Sequence, residues 1–223
     1  MNRTRLRDRS LPDYTHGEEL FNMISHITGA AAGVIVLLMC LWLSLTRHDG
    51  WAVASSLIYG LSFIQLYTIS SIYHGLKPGM AKRVLQVIDH CTIYLFIAGS
   101  YTPVMLCSLR PVHPGWAWSI LGAVWGLAVL AIVLNGIDLK KFKLFSMICY
   151  IGMGWSVIVG IKPVMEVLPA PGLWLLVAGG VVYTVGAVLY GMGKKMRYMH
   201  SVFHLCCVIG SLLQAGCILF YVL

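Results

Sequence analysis

The feature that most constrains this chain is a series of apolar runs, each long enough to cross a bilayer as a helix. A transmembrane helix needs roughly 18 residues or more. Runs of that length lie at about 24–45, 51–73, 88–109, 115–135, 144–161, 172–191 and 201–222. The chain is 59% hydrophobic and 11% charged, whereas a soluble domain is about a quarter charged. The sequence therefore predicts an all-α integral membrane protein with seven transmembrane helices.

The segments between these runs are short and carry turn-forming residues. They include RHDG, HGLKPGMAKR, GIDLKKFK and GMGKKMR. None is long enough to fold as a separate domain, and the sequence has no internal repeat. We therefore divide the chain into a basic N-terminal tail, 1–17, and one seven-helix membrane domain, 18–223.

The lysines and arginines predict an orientation, because cytoplasmic loops of membrane proteins carry an excess of them. Most of the 16 fall in the tail and after the second, fourth and sixth runs: Arg3, Arg5, Arg7, Arg9, Lys77, Lys82, Arg83, Lys140, Lys141, Lys143, Lys194, Lys195 and Arg197. The others are Arg47, Arg110 and Lys162. This distribution predicts a cytoplasmic N-terminus and a C-terminus outside. No basic patch is interleaved with aromatic residues, so nucleic acid is not expected as a partner.

Three histidines and one aspartate lie at the cytoplasmic ends of the predicted helices. His200 and His204 open the seventh helix, and their spacing of four places both rings on one helix face. His74 closes the second helix, and Asp89 opens the third. The predicted orientation puts all four side chains at one depth in the membrane. The sequence does not fix whether they meet laterally.

Imidazoles and a carboxylate are ligand types of a metal site, and an imidazole-rich site favours zinc. A zinc ion held by three histidines keeps a position for water and lowers the pKa of that water to about 7. Asp89 would then hold the water and take its proton, and Ser70, one turn from His74, would donate a hydrogen bond to the oxyanion. A site within the lipid leaflet predicts an acyl lipid as substrate. The alternatives are histidines that snorkel to the interface and a serine bonded to its own helix backbone.

A second polar stripe opens the first helix and consists of Glu19, Asn22 and His26. Spacings of three and four put these side chains on one face, at the depth of the histidines. In one interpretation they hydrogen-bond the metal ligands and hold them in place, or contact lipid headgroups. In the other they only cap the helix at the interface. The sequence leaves both open.

Further expectations concern the surroundings of the site. Pro103 should kink the third helix. Gly179, Gly180 and Gly186 should allow close helix packing. Asp138 is expected to lie in solvent beside the lysines that follow the fourth helix.

Taken together, these motifs resemble the hemolysin III family of bacterial membrane proteins, which belongs with the progestin and adiponectin Q receptors. The resemblance rests on GEELFNMISHITGA, SSIYH, IDHCTIYLFIAGSYTPV, GMGW, GGVVYTVGAVLY and YMHSVFH, which span nearly all seven helices. It implies zinc on His74, His200 and His204. It also implies that Asp89 acts through a water, with Ser70 nearby, in a multi-pass protein of the cell inner membrane.

The chain departs from the family pattern in ways that limit the comparison. Met199 stands where bacterial relatives often carry another histidine, so position 199 is not expected to be a ligand. A large soluble N-terminal domain like that of the animal receptors is lacking. A protein hormone is therefore not expected as a partner.

Three functions compete. The first is a zinc-dependent, ceramidase-like hydrolase that cleaves an amide or ester bond of a membrane acyl lipid. The second is a non-catalytic sensor that regulates membrane lipid composition and energetics, with a structural zinc and a bound fatty acid, ceramide-like lipid or phospholipid acyl chain. The third is the pore-forming haemolysin that the family name suggests. It is disfavoured because no ionisable residue lies at mid-membrane in the predicted helices.

Overall fold

The structure is a computed structural model that describes residues 4–192 and 196–223. In this part of the chain seven helices are long and apolar enough to cross a membrane, and no β-strand is present. We label them α1 to α7: His16–Thr46, Gly50–Gly75, Met80–Leu109, Pro114–Asp138, Lys143–Val167, Ala170–Met192 and Met199–Val222. The predicted all-α, seven-helix class is confirmed.

Helices α1 and α3 begin well before the apolar runs from which they were predicted. The start of α1 is fixed by a capping box, in which the Thr15 hydroxyl accepts from the Glu18 N–H and the Glu18 carboxylate accepts from the Thr15 N–H. Such a reciprocal pair satisfies amide groups that a helix start leaves unpaired. The α3 helix likewise begins at Met80, ahead of its apolar run. The apolar runs do not include the first turns of these two helices, because those turns contain polar residues.

Three helices change their winding along their length. The α-helical part of α3 ends at Pro103, and a π-helix continues over Val104–Leu109. Proline has no N–H to donate to the preceding turn, so the helix departs from regular winding there. In α5 the α-helix Lys143–Gly154 passes through a 3-10 segment, Ser156–Gly160. The last turn of α7, Ile218–Val222, is also π-helical.

Each helix from α1 to α4 packs against the next, α6 packs on α7, and α7 returns to pack on α1. The α5 and α6 helices meet through side chains, such as Trp155 and Thr184. The α3 helix is central, with 72% of its most apolar stretch inside the bundle against 17% for α6. Small residues allow close approach: a Cβ at Gly29 would lie 2.5 Å from the Tyr67 ring. One at Gly186 would lie 2.9 Å from the Cys206 Cβ. Of the glycines expected to allow close packing, Gly179 and Gly186 lie tightly against α7, whereas a Cβ at Gly180 would make an ordinary contact with the Trp155 ring at 3.4 Å.

One face of the bundle, which we call the N-terminal face, is where α1, α3, α5 and α7 begin and α2, α4 and α6 end. The basic residues assigned to the cytoplasm lie at this face where the structure describes them. Arg47, Arg110 and Lys162 lie at the opposite face. Arg3, Lys194 and Lys195 lie outside the described residues. Which face is cytoplasmic stays a prediction.

Asp138 is not solvated, and that expectation is wrong. Asp138 is the last residue of α4 and is only 2% exposed. One carboxylate oxygen accepts from the Thr4 N–H at 2.8 Å, and the other accepts from the N–H groups of Lys140 and Lys141. The N-terminal tail folds back across the N-terminal face and covers this carboxylate.

Candidate metal centre

Three histidines from two helices converge at the N-terminal face. His74 lies in the last turn of α2, and His200 and His204 lie in the first turns of α7. One nitrogen from each ring lies within 4.8 Å of the other two. His74 and His204 are buried, and His200 is half-buried. The three side chains therefore form a group that can hold a metal ion.

The distances fit a tetrahedral site after small adjustments of the side chains. The Nε2 atoms of His200 and His204 are 2.9 Å apart. Two nitrogens at tetrahedral positions around a metal with bonds of 2.0–2.1 Å are about 3.3 Å apart. Ring centroids of the three histidines are 4.5 to 5.6 Å apart. The three rings therefore lie close enough together to surround one ion.

The outward nitrogen of His74 is held by Glu19. The Glu19 carboxylate accepts from His74 Nδ1 at 2.6 Å, and its other oxygen accepts from the Lys82 ammonium at 2.5 Å. Lys82 is itself buried. A proton fixed on Nδ1 leaves a lone pair on His74 Nε2, which is buried and has no partner among the described residues. A carboxylate behind a ligating histidine is the usual arrangement at protein metal sites.

The outward nitrogen of His204 is held by another histidine. His204 Nδ1 lies 2.5 Å from His26 Nε2, and the two rings are tilted at a centroid distance of 3.9 Å. A proton on His204 Nδ1 would be donated to His26 and would leave Nε2 free to face His200. The polar stripe of α1 therefore supplies a hydrogen-bond partner to two of the three histidines.

Asn22 lies on the same stripe but bonds neither histidine. It is fully buried, and neither its amide oxygen nor its amide nitrogen has a partner among the described residues. Burial of this extent excludes a contact with lipid headgroups in this conformation. A buried amide without partners is costly, so Asn22 is an unsatisfied polar side chain on α1 between Glu19 and His26.

Asp89 and Ser70 form a pair at the same level. Ser70 is buried in α2, Asp89 is half-buried in α3, and the Ser70 hydroxyl lies beside the Asp89 carboxylate. Both line a cavity that His200 and His204 also line. Asp89 is not one of the three converging ligands. Asp89 therefore lines the cavity without belonging to the histidine group.

His90 lies next to Asp89 but is turned to a different partner. Its Nδ1 lies 2.8 Å from the carbonyl oxygen of Gln86, one turn earlier in the helix. This local bond occupies Nδ1, and His90 is not one of the three converging histidines.

Tyr14 contacts the metal centre, and the sequence analysis did not predict this contact. Its ring stacks on His200 at a centroid distance of 4.7 Å with an interplanar angle of 13°. Burial raises the pKa of the Tyr14 hydroxyl above its ordinary value, so the side chain stays neutral at physiological pH. Tyr14 lies in the irregular tail before α1, where no periodicity indicates a partner. The tail thus covers the metal centre from the N-terminal face.

Glu18 fixes the start of α7, and with it the two histidines there. Its carboxylate accepts from the Tyr198 N–H at 2.7 Å and pairs with Arg197 at 3.4 Å. Tyr198 has a positive φ of 62° and immediately precedes the helix. The cap of α1 and the start of α7 are therefore one hydrogen-bonded unit.

A cavity of about 890 Å³ extends from the N-terminal face into the bundle. Around the metal centre it is lined by polar side chains, Ser70, Asp89, His26, His200 and His204. Deeper in the bundle its wall is largely apolar, with Ile93, Phe96, Ile97 and Trp155, and it reaches Gln214 of α7. We call this deeper, apolar part of the cavity the tunnel. A cavity with a polar end and an apolar tunnel suits an amphiphile with one long apolar chain.

Comparison with known proteins agrees with this architecture. Residues 14–215 match the family model described as "Haemolysin-III related". The chain is 36% identical to "Hemolysin-3" of Bacillus cereus over 207 residues, 92% of each chain. It is 34% identical to the "Hemolysin-3 homolog" of Bacillus subtilis (strain 168) over 93% of this chain and 96% of that one.

A more distant similarity reaches an animal protein. The chain is 26% identical to the "Monocyte to macrophage differentiation factor" of Homo sapiens over 200 residues, which is 86% of this chain and 75% of the relative.

Proposed function

We propose that this chain, which belongs to the haemolysin-III-related family, binds zinc on His74, His200 and His204. With that zinc it would hydrolyse an amide or ester bond of a membrane acyl lipid. The chain is a multi-pass membrane protein, with seven apolar helices and a family match over most of its length. The single observation that carries the proposal is the convergence of three histidine nitrogens within 4.8 Å beside a lipid-sized cavity.

The residues present fit a zinc ion. All three donors are imidazoles, and His74 Nε2 is a buried nitrogen without a partner, a state that a metal bond would relieve. Glu19 adds a carboxylate that offsets part of the metal charge through His74. When bound, zinc supplies Lewis acidity toward a water molecule or a carbonyl oxygen.

Asp89 and Ser70 supply the remaining chemistry. Hydrolysis adds the oxygen of water to the acyl carbonyl carbon and breaks the bond to the leaving nitrogen or oxygen. Asp89 would take a proton from that water and return one to the leaving atom. Ser70 would interact with Asp89 before the substrate binds, and its single O–H would then turn to donate to the carbonyl oxygen as negative charge develops.

The substrate would enter with its apolar chain in the tunnel and its polar end at the metal centre. The apolar wall excludes water from the chain and leaves the acyl carbonyl near the polar end. With the N-terminus cytoplasmic, as the basic residues predict, the centre lies in the inner leaflet of the cell inner membrane. Membrane lipids, including ceramide-like lipids, phospholipids and fatty acids, are therefore the proposed partners.

The test is turnover by purified, zinc-loaded protein against fluorogenic ceramides and other acyl lipids in uncharged detergent. Asp89→Asn is expected to keep zinc and lose at least about 100-fold in rate, because proton transfer contributes about that much. Ser70→Ala is expected to lose less, since one hydrogen bond is removed. Asp49→Asn is the matched control, because Asp49 caps α2 at the opposite face and asparagine caps equally well.

Equal turnover in the wild type and Asp89→Asn would contradict the assignment of the proton carrier. Absence of turnover in the wild type on every lipid tested would favour a second candidate, a lipid sensor with a structural zinc. One observation favours that candidate: the Tyr14 ring stacks on His200 and covers the centre. In a sensor, lipid binding would persist in Asp89→Asn, and no lipid would be consumed.

A further inference from the structure

We propose that the cavity selects acyl lipids with an anionic headgroup and that Arg9 binds this headgroup. The inference rests on the proposed function for the acyl lipid and adds the chemistry of its polar end. Arg9 lies in the N-terminal tail and lines the cavity at the N-terminal face. Its side chain is the feature that points to an anion.

Arg9 is a buried cation with most of its hydrogen-bonding capacity unused. The residue is 6% exposed, and its Nε and Nη1 atoms are buried without a partner among the described residues. The remaining nitrogen, Nη2, reaches the Ile137 carbonyl oxygen only at 3.5 Å. A buried guanidinium is strongly unfavourable unless an anion and hydrogen-bond acceptors compensate it.

The described part of the chain supplies no such anion. No carboxylate lies within 4.0 Å of the Arg9 guanidinium among residues 4–192 and 196–223. Asp138 attracts Arg9 electrostatically from beyond that distance. Its two oxygens already accept backbone N–H groups from Thr4, Lys140 and Lys141. Asp138 therefore moderates the charge of Arg9 without filling its hydrogen bonds.

Backbone contacts, and not the charge of Arg9, hold it in this position. The Arg9 carbonyl oxygen accepts from the Arg83 Nε at 2.9 Å, and the Thr4 N–H donates to Asp138. Between them the 3-10 turn Leu6–Asp8 packs against α3. The tail thus carries the guanidinium to the cavity wall and anchors it from both sides, as a binding residue requires.

The other charged groups at this end fit the same ligand. Lys140 and Lys143 are exposed and line the cavity at the N-terminal face. Four acidic residues line it as well. Glu18 is engaged by Arg197, Asp8 lies 3.8 Å from Arg7, and Asp13 is exposed to solvent. The fourth, Asp89, lies deeper, at the level of the histidines. Guanidinium groups bind phosphate and carboxylate oxygens in pairs, with geometry that a neutral headgroup cannot supply.

The length of the cavity leaves room for the acyl chain beyond the headgroup. Along α7 it is lined from His200 to Gln214, a rise of about 21 Å at 1.5 Å per residue. An anion at Arg9 and an acyl chain in the tunnel would leave the intervening part of the lipid beside the histidines. The cavity therefore suits an anionic single-chain lipid better than a neutral one.

The experiment compares two lipids that differ only in charge. We would measure dissociation constants of purified full-length protein in uncharged detergent for 1-oleoyl lysophosphatidate and 1-oleoylglycerol. The wild type is expected to prefer the phosphate lipid by at least about tenfold, the ratio that corresponds to one charge-assisted hydrogen bond. Arg9→Gln is expected to abolish this preference, and Arg7→Gln, an exposed arginine of the same tail, is expected to retain it.

Further binding measurements show which kind of anion Arg9 recognises. Oleate that binds in an Arg9-dependent manner would extend the headgroup class to carboxylates. Inorganic phosphate that binds as tightly as lysophosphatidate would overturn the lipid proposal, because the acyl chain would contribute nothing. Arg9→Lys, which retains the charge but not the paired geometry, is expected to retain only part of the preference. It also serves as the second variant if Arg9→Gln does not fold.

The outcomes distinguish this inference from the proposed function. Equal affinity of the wild type for the two lipids overturns the anionic headgroup, even if hydrolysis is found. Arg9-dependent binding without hydrolysis or zinc supports the headgroup and removes the hydrolase. Binding is measured before turnover, so neither result depends on the other.

Discussion

At the scale of single residues, the site is defined by what holds the outer nitrogens of its histidines. Glu19 is the hydrogen-bond partner of Nδ1 of His74, and His26 is the hydrogen-bond partner of Nδ1 of His204. These bonds direct the remaining lone pairs toward a common point, which is the difference between histidines that pack and histidines that bind metal. The metal affinity of the site therefore depends partly on α1, which contributes no ligand.

Glu19→Gln is expected to weaken zinc binding by about 10–100-fold. A neutral amide holds the Nδ1 proton of His74 less strongly than a carboxylate does, so Nε2 becomes a weaker and less well-oriented ligand. Competition with a chelator would give the zinc dissociation constant of the purified variant.

Lys82→Met is the matched control for this change. It removes the other partner of Glu19 and leaves the bond between Glu19 and His74 in place. Its zinc affinity is expected to stay close to that of the wild type. A folded Glu19→Gln protein with unchanged affinity would show that Glu19 does not support the ligand.

The sequence predicts the participants of this site better than their pairings. Spacing places Glu19, Asn22 and His26 on one face of α1, but it cannot say which histidine each side chain meets, because that depends on how α1 lies between α2 and α7. Tyr14 and Arg9 are not predictable in this way. They lie in an irregular tail whose path is set by contacts with distant residues.

At the scale of helices, close approach at small residues positions the ligands. The α1 and α2 helices meet where Gly29 lies against the ring of Tyr67. That ring is fully buried, and its hydroxyl lies 2.6 Å from the Ser211 hydroxyl of α7. Apolar runs predict that these helices exist, but not the polar turns that extend them or the contacts that set their spacing.

Gly29→Ala is expected to destabilise the protein by about 1–3 kcal/mol, the usual cost of an added methyl group in a well-packed core. Its Cβ would lie 2.5 Å from a Tyr67 ring atom, and that ring is fully buried. The midpoint of thermal unfolding in detergent measures the effect.

Gly126→Ala in α4 is the control, because a Cβ there meets nothing within 4 Å. Its unfolding midpoint is expected to be unchanged or slightly raised, since alanine favours the helix. If both variants unfold alike, the contact between Gly29 and Tyr67 does not limit helix spacing.

At the scale of the whole molecule, most of the basic residues and the candidate metal centre lie at the same face of the bundle. The polar side chains of the metal centre, the N-terminal tail and most of the described basic residues lie at the N-terminal face. The positive-inside rule then predicts that the site is reached from the cytoplasmic leaflet. The number of helices is predictable from hydropathy alone, whereas the covering of the face by the tail is not.

Reporter fusions test this orientation. Alkaline phosphatase fused after Leu223 is expected to be active, because that enzyme folds only outside the cytoplasm. The same reporter fused within the segment that joins α4 to α5 is expected to be inactive. Green fluorescent protein at the two positions should give the opposite pattern. The reverse result would place the metal centre in the outer leaflet.

The central claim, that three histidines hold zinc, is tested most directly by the metal content of chelator-washed protein. The wild type is expected to retain one zinc ion per chain, and His204→Ala and His74→Ala are expected to lose it. His16→Ala, which changes an exposed histidine at the start of α1, is expected to retain it. No zinc in the wild type, or full zinc in both ligand variants, would contradict the account.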